Sequence, residues 1–269
     1  MKLAKLTLMM MLTSMIGTGC SQKIAFNGAD SKSSTSSAIP KDPVCQPGQM
    51  TVTKPTKFIL LVDQSGSNWD GPNEHPGVGT DPDKAVRFGA MSEFFLLHGQ
   101  KKHVSWSFIG FQGAGAHALT HQGADPNPAF VGFNDMLAAL ALFKSAKDEG
   151  MTPYLAAMKM AQDLITRDLS TGVPADTQYR IAFLTDGYPT DLPTGAQLED
   201  AIDAGLKSLI DLAPDSIQMS TVYYGLPDAA AAARLQRMAT QGKGQFLDAG
   251  KSNGLHLGDV IQVPKPACN

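Results

Sequence analysis

Short apolar runs separated by polar and glycine-rich segments dominate the chain after residue 50. Residues 58–62 and 181–185 are continuous rather than alternating runs, which is typical of parallel strands buried on both faces. The predicted strands are 53–62, 104–109, 116–120, 179–185, 216–224 and 245–247. The predicted helices are 82–98, 134–145, 195–212, 228–241 and one that has Thr152 as N-cap and Pro153 at its first position, where proline is tolerated.

Strands that alternate with helices predict an α/β fold. We expect a doubly wound, mostly parallel sheet with helices on both faces. The segment 116–120 follows a glycine-rich turn after 104–109, and we expect it to return as one antiparallel edge strand. The length of 51–269 fits a single large domain.

The N-terminal segment 1–19 reads as a secretory leader. Lys2 and Lys5 precede an apolar run that is too short to span a bilayer, and small residues follow it. The alternative is a short anchor that is never cleaved. Cys20 after small residues resembles the acylated cysteine of bacterial lipoproteins, and Ser21 in place of Asp implies sorting to a Gram-negative outer membrane.

Residues 20–50 are rich in Ser and Lys and poor in apolar side chains, which predicts a flexible tether. Loss of the leader, with Lys2 and Lys5, leaves 20 of the 22 basic residues against 25 acidic ones, a net charge of −5. This balance gives no sign of nucleic-acid binding, which favours clustered Lys and Arg.

Two cysteines remain once Cys20 is assigned to lipid. Cys45 precedes the first predicted strand, and Cys268 lies beside the C-terminus. Because domain termini often lie close together and exported proteins meet an oxidising compartment, we predict a Cys45–Cys268 disulfide. Two free thiols are the alternative.

Three separated segments carry oxygen-bearing side chains next to predicted strand or helix ends. Asp63, Ser65 and Ser67 follow one apolar run, Asp186 follows another, and Thr152 precedes a helix. Parallel strands place their functional residues at their carboxyl ends, so these groups can converge. Two carboxylates and three hydroxyls suit a hard cation such as Mg²⁺. Taken singly, the serines could belong to a turn, Thr152 to a helix cap and Asp186 to an Asp-Gly turn.

The set resembles the metal-ion-dependent adhesion site of von Willebrand factor A-type (VWA) domains. That motif has Asp-x-Ser-x-Ser, a distant Thr and a Thr-Asp-Gly, as here at Asp63, Ser65, Ser67, Thr152 and Asp186. The resemblance covers residues 53–250. It implies direct binding of Mg²⁺ (or Mn²⁺ or Ca²⁺) by both serines, contact through water for Asp63, and exchange between the two modes for Thr152 and Asp186. The resemblance also implies that one coordination position stays open for a Glu or Asp of a protein partner.

Three aromatic residues follow the predicted metal segments: Trp69, Tyr154 and Tyr188. If the segments converge, these side chains can form a partner-binding rim, for which Trp and Tyr are suited. The alternative is that Tyr154 packs in its helix and the other two only cover the sheet edge.

The long loop 69–83 carries four acids, Asp70, Glu74, Asp81 and Asp83. One of them could reach the cation in place of a partner carboxylate. The alternative is a solvated acidic loop.

The function predicted from these features is that of a non-enzymatic, lipid-anchored envelope module that captures a protein partner through a divalent cation. A structural scaffold in which the metal only stabilises the fold is one alternative. A metal-dependent hydrolase is another, but Ser65 stands where a haloacid-dehalogenase-like phosphatase needs a second acid. The Gly-x-Ser-x-Gly pattern of serine hydrolases is absent around Ser65.

Overall fold

The computed structural model describes residues 45–46, 49–71, 75–191, 195–250 and 254–268. The predicted leader, Cys20 and nearly all of the predicted tether lie outside these residues. In the described part of the chain, no helix is long and apolar enough to cross a membrane.

The described elements are strands, helices and two short 3₁₀ turns. The strands are β1 (Thr51–Val52), β2 (Thr56–Asp63), β3 (Asp70–Gly71), β4 (His75–Pro76), β5 (Val104–Gln112), β6 (Gly115–Ala118), β7 (Gln178–Thr185), β8 (Ile217–Tyr223), β9 (Lys243–Asp248) and β10 (Ala267–Cys268). The helices are α1 (Ala85–His98), α2 (Phe133–Ser145), α3 (Tyr154–Ser170), α4 (Ala196–Ile210) and α5 (Ala229–Gln241). The 3₁₀ turns are Gly66–Asn68 and Leu257–Asp259.

The main sheet has six strands in the order β6-β5-β2-β7-β8-β9. All neighbours are parallel except β5 and β6, which pair antiparallel at the edge. The predicted α/β fold, with its single antiparallel edge strand, is therefore confirmed. Strand β2 lies between β5 and β7 in the middle of the sheet. Its carboxyl end therefore lies midway along the side of the sheet where the parallel strands end.

The sheet is buried on both faces, which explains why its central strands are continuous apolar runs. Ile59 and Leu61 of β2 pack with α3, α4 and α5 on one face. Phe58, Leu60 and Val62 pack with α1 and α2 on the other. Successive side chains of the strand thus serve two separate cores.

Every helix begins within three residues of its predicted start, and local contacts explain the difference at two of them. Helix α1 begins at Ala85 rather than at residue 82, because Lys84 adopts a left-handed conformation with φ of 58°. Helix α3 begins at Tyr154 with Pro153 in the cap position, and no cap side chain bonds to its first turn. The Asp191 carboxylate accepts from Leu155 N at 2.6 Å instead, so the prediction of Thr152 as N-cap is wrong.

The two ends of the described part of the chain are joined near the two-stranded pair of β1 and β10. The Cys45–Cys268 disulfide is present, with the two Cα atoms 5.5 Å apart. It links residues separated by 223 positions in sequence, so it holds the start and end of the folded chain together.

Candidate metal centre

The first part of the site lies directly after β2. Ser65 N donates to Asp63 Oδ1 at 2.8 Å, which holds the carboxylate back against its own chain. The chain then turns through Gly66–Asn68, and this turn brings Ser65 Oγ and Ser67 Oγ to 3.1 Å from each other. The two serine hydroxyls therefore lie side by side next to the buried Asp63 carboxylate.

The second part lies at the end of β7, the parallel neighbour of β2. Ser67 Oγ donates to Asp186 Oδ1 at 2.8 Å. The Thr185 hydroxyl donates to Asp63 Oδ2 at 2.5 Å and so ties the two strand ends together. Adjacent parallel strands end at the same edge, which is why residues 123 positions apart meet here.

Thr152 enters from the loop between α2 and α3. A Cβ placed on Gly187 would lie 3.7 Å from Ser67 Oγ and 4.0 Å from Thr152 Oγ1, so both hydroxyls face the same space. The loop is held there by the bond from Gly66 N to Gly150 O, at 2.9 Å. The structure therefore brings together all five residues of the predicted metal set.

The two carboxylates of the site have pKa values above the ordinary value of Asp. Burial, together with the nearby Asp186 carboxylate, raises the pKa of Asp63 to about 7. Burial also raises the pKa of Asp186 above its usual range, although hydrogen bonds from Thr80 and Ser67 oppose this. Among the described residues neither carboxylate forms an ion pair. A bound dication would supply the missing positive charge.

The donor chemistry fits a hard cation. Three hydroxyls and two carboxylates converge, an all-oxygen set of the kind that Mg²⁺ and Ca²⁺ prefer. Over the described ranges, no three His, Cys, Asp or Glu side chains gather as a metal cluster. Hydroxyl oxygens are therefore most of the available donors, which distinguishes this site from zinc sites built on Cys and His.

Thr80 is a site residue that the sequence analysis missed. Its hydroxyl donates to Asp186 Oδ2, and its backbone N donates to Ser67 O at 3.1 Å. The residue lies in the loop 69–83, whose sequence has no periodicity that assigns it to the site.

Arg87 was also missed, although it had a detectable signal. It is a charged residue in the apolar register of α1, in line with Ala90, Met91 and Phe94, and it is fully buried. Its guanidinium donates to the backbone oxygen of Asp63 at 2.5 Å. A charge at such a position indicates a buried ionic network behind the strand end.

The predicted aromatic rim is corrected at one of its three positions. Tyr154 is 0% exposed, and its hydroxyl donates to Gly187 O at 2.8 Å, so it supports the site from within the core. Its place in the first turn of α3 points the ring at Phe183 of the sheet. Trp69 and Tyr188 are 40% and 41% exposed beside the metal segments.

Two acids of the loop 69–83, Asp81 and Asp83, have other roles in the structure. Asp81 is buried and accepts from Arg87 Nε at 2.8 Å, so it is neither solvated nor directed at the cation site. Asp83 accepts from Ala85 N at 3.1 Å at the start of α1. Glu74 lies outside the described residues.

Comparisons with known proteins give structural likeness only. The sequence matches no protein-family model, and no curated protein matches it significantly. The vWF domain of the type V pili tip protein Mfa5 from Porphyromonas gingivalis is 13% identical, with TM-score 0.51, over 73% of this chain and 90% of that one. The pilus adhesin SpaC from Lactobacillus rhamnosus GG is 15% identical, with TM-score 0.52, over 74% of this chain and 29% of SpaC.

The manganese-loaded TRAP protein of Plasmodium vivax is 14% identical, with TM-score 0.46, over 71% of this chain and 65% of TRAP. The chain thus spans less than two thirds of TRAP and of SpaC. At these identities the likeness concerns the fold. The strand order, taken with the likeness to SpaC and to the vWF domain of Mfa5, leads to one conclusion: the chain has the fold of von Willebrand factor A-type domains.

Proposed function

We propose that this chain is a cell-envelope binding module that captures a protein partner through a divalent cation held at Asp63, Ser65, Ser67, Thr152 and Asp186. The observation that carries the proposal is the convergence of three hydroxyls on two buried carboxylates that form no ion pair with any residue the structure describes. SpaC is named a pilus adhesin and Mfa5 a pili tip protein, and binding roles of this kind suit an exposed module with the same fold.

The proposed binding chemistry follows from the donor set. The Ser65, Ser67 and Thr152 hydroxyls would hold the cation without neutralising it, while Asp63, acting through water, and Asp186 would offset its charge only in part. A cation with mostly neutral direct ligands attracts a further anion, and a partner Glu or Asp carboxylate is such a ligand. The residues of the site thus bind and orient, and they carry out no bond-breaking step.

We further propose that the module is lipid-anchored at Cys20 in an outer membrane and carried on the tether 20–50. The support is the leader-like pattern of residues 1–19 and the small residues before Cys20. Magnesium is the cation we favour, because its preference for hard oxygen ligands matches the hydroxyl-rich set.

A pull-down from envelope extracts tests partner capture. With the purified module in Mg²⁺, we expect a bound protein that EDTA releases and that the Asp63→Ala variant does not retain. Ser67→Ala serves as a second variant, since the side chain is exposed and its loss should leave the fold intact. The matched control is Ser170→Ala at the exposed end of α3. Retention that is equal in Mg²⁺ and EDTA would favour the scaffold alternative.

The same pull-down examines the exposed part of the rim. Trp69→Ala and Tyr188→Ala should weaken partner capture several-fold, because exposed aromatic side chains beside a site often dominate interface energies. Magnesium affinity measured by calorimetry should stay unchanged in both variants. Unchanged capture in both variants would remove the rim from the proposal.

Stabilisation by magnesium should depend on pH. At a free concentration of 100 times Kd, ligand binding adds about 2.7 kcal/mol, and we expect Tm to rise by roughly 5–10 °C at pH 8. At pH 5.5 the raised pKa of Asp63 keeps a proton on the site that the cation must displace, so the rise should fall to about a third. Differential scanning calorimetry at both pH values measures this.

Without metal, Tm should change with pH in the opposite direction. A carboxyl with a folded-state pKa of about 7 and an unfolded value of 3.8 favours folding below pH 3.8, and this contribution is lost as pH rises through 7. Metal-free Tm should therefore rise from pH 8 to pH 5.5 through this group. Asp63→Asn should remove both the magnesium response and this part of the pH dependence. An equal Mg²⁺ shift at pH 5.5 and pH 8 would contradict the assignment.

A further inference from the structure

The loop between the first 3₁₀ turn and α1 folds back over the candidate site. Strands β3 and β4 pair antiparallel, and the chain then returns with Gly77 N and Gly79 N both bonded to Trp69 O, at 2.9 and 3.1 Å. A Cβ on Gly79 would lie 2.4 Å from backbone atoms of Asn68, so only glycine allows this approach. The return path therefore lies directly against the segment that carries Ser67.

The position of Thr80 is fixed on both sides. Thr80 N donates to Ser67 O at 3.1 Å, and Asp81 N donates to Asn68 O at 3.2 Å. Asp81 is then held by Arg87, which bonds its carboxylate at 2.8 Å and its backbone oxygen at 3.1 Å. These bonds on both sides hold the Thr80 hydroxyl in one position.

The Thr80 hydroxyl meets Oδ2 of the Asp186 carboxylate. Oδ1 accepts from Ser67 Oγ at 2.8 Å, and Oδ2 accepts from Thr80 Oγ1. With both oxygens engaged, rotation of the carboxylate is restricted, and Oδ1 remains turned toward the cluster of site hydroxyls. Thr80 itself is only partly exposed.

We propose that Thr80 is a positioning residue of the cation site, which holds Asp186 in the orientation that receives a divalent cation. The loop 69–83 thus belongs to the site through this hydroxyl. The inference rests on the proposed function, because it concerns the same cation. Residues that orient metal-binding groups typically change affinity by 10–100-fold when they are lost.

The test compares Thr80→Val, which keeps the shape and removes the hydroxyl, with Thr80→Ser, which keeps the hydroxyl. Magnesium alone is titrated into each purified protein by isothermal titration calorimetry. We expect Thr80→Val to weaken Mg²⁺ binding at least tenfold and Thr80→Ser to stay within about twofold of the unaltered chain. Thr166→Val is the matched control. The Thr166 hydroxyl lies away from the site and donates to Gln162 O on the exposed side of α3.

Tm in EDTA shows whether each variant is folded, and a merely structural role would lower this Tm without the selective loss of affinity. The inference is overturned if Thr80→Val binds Mg²⁺ as the unaltered chain does, or if Thr80→Ser loses as much affinity as Thr80→Val. If the unaltered chain binds no Mg²⁺, the proposed function fails and the role of Thr80 fails with it. The two failures are thus separated by the behaviour of the unaltered chain.

Discussion

Replacement of Arg87 by Met is expected to lower the free energy of unfolding by about 3–5 kcal/mol, which is the typical cost of an uncompensated buried charge. Arg87 is fully buried and lies between two buried carboxylates, Asp81 and Asp148. Lys84 is the second cation of this cluster, at 2.9 Å from Asp148. Two cations and two anions balance, and Met leaves one negative charge without a partner.

The effect should extend to the metal site because of where Arg87 bonds. It donates to the backbone of Asp63, to both the side chain and backbone of Asp81, and to Asp148, four positions before Thr152. One side chain thus connects two of the segments that carry candidate ligands, at Asp63 and before Thr152, with the end of the loop 69–83. We expect weaker Mg²⁺ binding in any Arg87→Met protein that still folds.

Urea unfolding in EDTA measures the stability change without a contribution from the metal. Arg87→Lys is the comparison, since it keeps the charge and loses the planar fork, and it should cost less than Arg87→Met. The exposed pair Lys207–Asp211 supplies a control, because Lys207→Met should change stability by less than about 1 kcal/mol. A loss below about 1 kcal/mol for Arg87→Met would mean that the cluster is solvated in solution.

Removal of the Cys45–Cys268 disulfide is expected to cost about 5 kcal/mol in the chain-entropy model. The crosslink closes a loop of more than 220 residues, and the entropy that it removes from the unfolded chain grows with loop length. Strands β1 and β10 have two residues each, so the pairing beside the disulfide is short in the described structure. The Cys45→Ser, Cys268→Ser double variant and the reduced protein should unfold at the same, lower denaturant concentration.

Each single Ser variant should match the double variant, because either change removes the whole bridge. Addition of reductant should then have no further effect on any of the three. Thiol alkylation provides a direct check, since neither cysteine should react in the unreduced folded chain. Free reaction of both thiols would show that the bridge does not form.

Much of the fold could be predicted from the sequence because the central strands are buried on two faces. Their continuous apolar runs stand out from the intervening helices, and the strand limits agree with the structure to within about three residues. The candidate metal set could be proposed from the sequence because Asp63 and Asp186 directly follow such runs. Parallel strands bring those ends to a common edge whatever lies between them.

The parts that were missed depend on contacts between segments that are distant in sequence. Thr80 reaches Asp186 only because a hairpin turns the loop back, and no local pattern around Thr80 signals that path. Tyr154 was assigned to the rim from its position after Thr152. The pitch of α3 instead directs its ring into the core.

The sequence by itself determined the order of strands and helices, the oxygen-rich composition of the site and the candidate disulfide. Each of these follows from local burial or from a short motif. Only the tertiary structure decided which side chains face the candidate cation site, which aromatic residues remain exposed, and that Arg87 bonds to several of the surrounding segments. The physical reason is that side-chain direction and desolvation are set by packing between elements, and packing is a property of the whole fold.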